Sequence, residues 1–122
     1  GDTLSMSGFM YTVYLLVNLP PPSYELSNLN FAALKSGSNA SVLASMIMKC
    51  PPDLIFASGR EDLPGNATIN DAIAMLPNYK KVASVPVSQN RDYGLFSGDL
   101  YSNIDRLSIK YHESASDCIQ GD

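Results

Sequence analysis

The chain has two cysteines, Cys50 and Cys118, and their placement constrains the fold more than any other feature. Cys50 closes an apolar helical stretch and is followed at once by Pro51 and Pro52, whereas Cys118 lies close to the C-terminal end. Neither belongs to a CxxC pair and there is one histidine, which argues against a zinc cluster. The alternatives are two buried thiols in a cytosolic protein or one disulfide. A chain end frays unless tied down, and Cys118 is placed to do the tying. The bridge would close a loop of about 70 residues, for which chain entropy predicts up to ~4.4 kcal/mol. That is a large share of the ~5–15 kcal/mol typical of a domain. A Cys50–Cys118 bridge is therefore expected, and with it a periplasmic or extracellular location.

Hydrophobic periodicity sets out the elements. Residues 9–19 are apolar on both alternating faces and predict a central strand covered on both sides, ended by Pro20-Pro21-Pro22. Ser27 is placed to cap a helix over residues 28–36, with Gly37 just past its end. Ser38 is placed to cap a second over 39–50, where Leu43, Met46, Ile47 and Cys50 form one stripe. Residues 53–58 read as a short buried strand, able to pair parallel with the first across the two helices. Thr68 and Asp71 resemble a capping pair for a helix over 69–76. The last third reads as a meander: a strand over 81–87 demoted to an edge by Pro86, a strand over 92–96, a turn at Ser97-Gly98-Asp99, and an alternating strand over 105–112.

The expected fold class is α+β: a mixed or mainly antiparallel sheet of four to five strands, with two to three short helices packed on one face. A length of 122 residues suits one domain over residues 1–122. A net charge of −4 with scattered Lys and Arg argues against nucleic acid. The apolar run over 9–19 is about half a membrane span, so no transmembrane segment is expected. The N-terminus carries no signal peptide. The expectation is that an export signal, or a lipid anchor, stood upstream of Gly1.

Motifs that carry chemistry are sparse. His112 and Glu113 end the expected 105–112 strand, with Arg106 on the same side as His112. A histidine with a carboxylate and an arginine can run acid–base cleavage of RNA. The run Ser97-Gly98-Asp99-Leu100-Tyr101-Ser102 with Asp105-Arg106-Leu107 resembles the end of microbial guanyl-specific ribonucleases over about a dozen residues. It lacks their second catalytic histidine. Asp53, Glu61, Asp62, Asp71 and Asp99 lack the close regular spacing of a calcium loop, so neither a metal nor a cofactor is expected. Tyr93, Phe96 and Tyr101 cluster near the meander turns, where aromatics serve binding surfaces or pack sheet against helix. Asn39-Ala40-Ser41 and Asn66-Ala67-Thr68 both fit the N-glycosylation acceptor.

The leading expectation is an exported, non-enzymatic module acting through a protein partner: periplasmic, lipid-anchored, or of the inhibitor or immunity type. The alternatives are a small secreted hydrolase using His112, Glu113 and Arg106, and a small-ligand carrier.

Overall fold

The computed structural model describes residues 2–7, 18–23, 25–59, 63–85 and 98–104. Four strands lie in it: β1 (Leu4–Met6), β2 (Leu54–Ser58), β3 (Tyr79–Val85) and β4 (Gly98–Asn103). Three helices accompany them: α1 (Leu29–Lys35), α2 (Ala40–Lys49) and α3 (Asn66–Ala74), with a 3-10 turn at Glu25–Ser27. The strands form one mixed sheet in the order β1-β2-β4-β3. β1 pairs parallel with β2, while β4 pairs antiparallel with both β2 and β3. Parallel strands cannot be joined by a tight turn, and α1 and α2 fall within the long connection that β1 and β2 require. The architecture is α+β, as the sequence predicts.

α1 and α2 start where a side chain accepts from backbone N–H groups, and both caps shift by one residue from expectation. At α1 the cap is Asn28, not Ser27: its side chain accepts from the N–H groups of Asn30 and Phe31. At α2 the cap is Asn39, not Ser38, accepting from Val42 N–H at 3.1 Å. Ser38 has a positive φ of 58°, which removes it from the extended conformation a cap residue adopts. α3 departs further, because Thr68 and Asp71 lie inside it rather than at its start. It begins after Gly65, whose φ is +87° and which caps it with no side chain. A Cβ at Gly65 would lie 2.9 Å from Ala33 Cβ, so the missing side chain also lets α3 approach α1.

The sheet differs from expectation in two places. The parallel partner of β2 is the three-residue β1, too short to display a period in sequence. The expected strands over 92–96 and 105–112 lie outside the described residues, as do residues 9–17 of the first; its last two, Asn18 and Leu19, are not in a strand, and Asn18 stands in a turn with φ 56°. The expected turn at Ser97-Gly98-Asp99 is corrected, since Gly98 and Asp99 open β4. Gly98 has φ +153° and stands against Ala57 and Ser58 of β2, where a Cβ would meet the Ala57 carbonyl. Glycine there permits a close strand approach, not a reversal.

The helices cover one face of the sheet. Leu29, Ala32 and Ala33 of α1, Leu43, Ala44 and Ile47 of α2, and Ile69, Ala72 and Ile73 of α3 pack with Ile55, Ala57 and Tyr79 of the strands. The predicted α2 stripe is buried, with Met46 at its margin and Cys50 at its end. Register places Ser5, Ile55 and Tyr101 side by side on this face. Leu4, Met6, Leu54, Phe56 and Leu100 share the opposite face.

Candidate functional site

At the carboxyl ends of the parallel pair, where open sheets with helical crossovers often bind ligands, polar side chains converge. Ser58 N–H donates to Ser7 Oγ at 2.6 Å. Asn66, first residue of α3, donates from Nδ2 to Ser58 O at 3.5 Å. Asn30 of α1 donates from Nδ2 to Asn66 Oδ1 at 2.9 Å and to Pro64 O at 2.6 Å. Asn30, Asn66, Ser7 and Ser58 are all buried. These hydrogen bonds clamp α1, α3 and the sheet together. Beside it on the helix-facing side, Ser5 Oγ is buried without a hydrogen-bond partner.

A second cluster closes the other end. Asp53 accepts from Thr3 N–H at 2.7 Å, and Asp53 N–H donates to Thr3 Oγ1 at 3.2 Å. Tyr79 donates its hydroxyl proton to Pro52 O at 2.6 Å and accepts from Asn103 Nδ2 at 3.5 Å. Burial pushes the Tyr79 hydroxyl well above the usual tyrosine range, opposed by the Asn103 hydrogen bond and reinforced by the nearby Asp53 charge. Such a tyrosine holds its proton at working pH. Its role here is to pin the β2 entry to the start of β3.

On the surface, chemistry-bearing side chains come together between β3 and β4. Ser84 Oγ donates to Asp99 Oδ1, and Lys81 Nζ lies 3.7 Å from Asp99 Oδ2. The lysine and aspartate are both substantially solvated, so this reads as a cross-strand surface pair of small energy.

Of the residues the sequence singled out, Tyr101 is described: it is half-buried and packed against the core beside Ile55. Tyr93 and Phe96, and the catalytic candidates His112, Glu113 and Arg106, lie outside the described residues. Cys50 is buried at the C-terminal end of α2 and is not a free thiol; Cys118 lies outside the described residues. No group of three potential metal ligands occurs among the described residues. No described helix is long and apolar enough to cross a membrane.

Sequence reasoning passed over one feature. α1 buries Leu29, Ala32 and Ala33, yet turns Phe31 (59% exposed) and Leu34 (55% exposed) outward, three residues apart on one side. The signal was present in the run Leu29-Asn30-Phe31-Ala32-Ala33-Leu34, which is apolar around more of the helix than one buried stripe needs. No protein-family model matches the chain, and no similar curated protein or solved structure was found.

Proposed function

We propose that this protein is an exported, non-enzymatic module that binds a protein partner through the outer side of α1. The observation that carries the reading is the outward pair Phe31 and Leu34 on a helix whose opposite side is fully packed. Aromatic side chains such as Phe31 are enriched at protein interfaces. Export is supported by Cys50, which is not a free thiol in a chain whose other cysteine is Cys118. We assign Cys118 as its partner, and a persistent disulfide belongs to an oxidising compartment.

The test pairs two measurements on the full chain. Intact mass after denaturing alkylation, with and without reductant, reads the thiols: one blocked pair opening on reduction agrees with export, and two free thiols refute it. Affinity capture from extracellular fluid compares the protein with its Phe31→Ser/Leu34→Ser variant. Both positions are exposed, so circular dichroism and the thermal midpoint should be nearly unchanged. A partner retained by the parent and lost by the variant supports the reading. Equal retention by both moves the interface away from α1.

A further inference from the structure

The two Asn-x-Ser/Thr sequons occupy opposite environments, and we infer that Asn39 alone is an N-linked glycan site of the folded protein. The inference rests on the export reading, and specifically on passage through a secretory pathway that carries oligosaccharyl transfer.

Asn39 is exposed, in the loop between α1 and α2. Its Oδ1 caps α2 by accepting from Val42 N–H, while its Nδ2 makes no hydrogen bond among the described residues. Ser41, the sequon hydroxyl, is also exposed. In the transfer, Nδ2 forms a bond to C1 of the first sugar of a lipid-pyrophosphate-linked oligosaccharide. The C1–O bond to the pyrophosphate breaks, the lipid pyrophosphate leaves with the electron pair, and the amide nitrogen loses one proton. The carbonyl oxygen is untouched. A glycosylated Asn39 therefore keeps the hydrogen bond that starts α2, and its sugar projects into solvent.

Asn66 is the reverse case. It is 7% exposed, and both ends of its amide are engaged: Oδ1 accepts from Asn30 and Nδ2 donates to Ser58 O. A sugar on Nδ2 would stand where α3 meets β2. Transfer takes place on the entering chain before it folds, so burial does not prevent the reaction at Asn66. It prevents a chain so modified from completing the fold, and such chains are removed before secretion.

The experiment expresses the full chain behind an added secretion leader in a eukaryotic cell line, which supplies entry whether or not the chain is exported naturally. Occupancy is mapped by peptide mass spectrometry after amidase release in heavy-oxygen water, in the secreted protein and in the protease-resistant fraction retained by the cells. The expected result is one glycan at Asn39, lost in Asn39→Gln and kept in Asn66→Gln. A glycan at Asn66 in protease-resistant protein, or an unmodified Asn39 in the secreted protein, overturns the inference. Neither result bears on natural export, which the thiol measurement decides separately.

Discussion

Asn30→Ala is the perturbation that most directly tests how this fold is tied together. The Asn30 amide donates to Asn66 Oδ1 at 2.9 Å and to Pro64 O at 2.6 Å, joining α1 to the start of α3. Truncation removes the Asn30 donor from the buried Asn66 Oδ1, a loss of about 1–3 kcal/mol. Pro64 is exposed and its carbonyl can turn to water, so that loss is nearer the ~0.5–1.5 kcal/mol of an ordinary net hydrogen bond. The expected destabilisation is ~1.5–4.5 kcal/mol. Unfolding entropy of ~2.1 cal/mol/K per residue over 122 residues makes each kcal/mol worth about 4 °C, so the thermal midpoint should fall by about 6–18 °C. Urea unfolding followed by far-UV circular dichroism gives the free energy, and a cycle with Asn66→Ala gives the coupling. Contacting residues in one network should couple by ~0.5–3 kcal/mol. A single-variant loss under about 0.5 kcal/mol, typical of an inert surface site, or strict additivity in the cycle, would refute the clamp.

Other perturbations report on separate parts of the molecule. Tyr79 keeps its proton in the folded state above the ordinary tyrosine pKa of about 10. Below pH ~10 both states are protonated and stability is unaffected; above it the unfolded chain loses the proton first, so stability falls with a slope of up to ~1.4 kcal/mol per pH unit. Urea midpoints from pH 8 to 11 should show that fall, and Tyr79→Phe should lose this component of it; an unchanged slope would count against burial of the hydroxyl. Gly98→Ala places a methyl group against the Ala57 carbonyl and at a φ that side chains rarely adopt, and should cost roughly 2–6 kcal/mol by chemical denaturation. A neutral result would mean that β4 does not approach β2 as described.

Legibility in the sequence followed the range of the interaction concerned. The α2 stripe, the short strand at Leu54–Ser58 and the breaks at Gly37 and Pro51 were readable, because their causes lie within a few residues of each other. The caps at Ser27 and Ser38 were each misplaced by one residue, since Asn28 and Asn39 are equally competent caps and only the loop geometry chooses between neighbours. The candidate site was less legible. Asn30, Ser58 and Asn66 carry no motif, and their meeting depends on positions up to 36 residues apart. Phe31 and Leu34 were ordinary helix residues until packing showed which side of α1 the core had left uncovered.

By itself, then, the sequence determined an α+β composition of short helices and strands, a low and acidic charge, and two acceptor motifs of equal standing. Tertiary structure alone decided the strand order β1-β2-β4-β3, the conversion of the Gly98 turn into a strand, and the division between an exposed Asn39 and a buried Asn66. The reason is physical: periodicity and capping arise from neighbours along the chain, whereas burial and register arise from residues that meet only when distant segments close on one another.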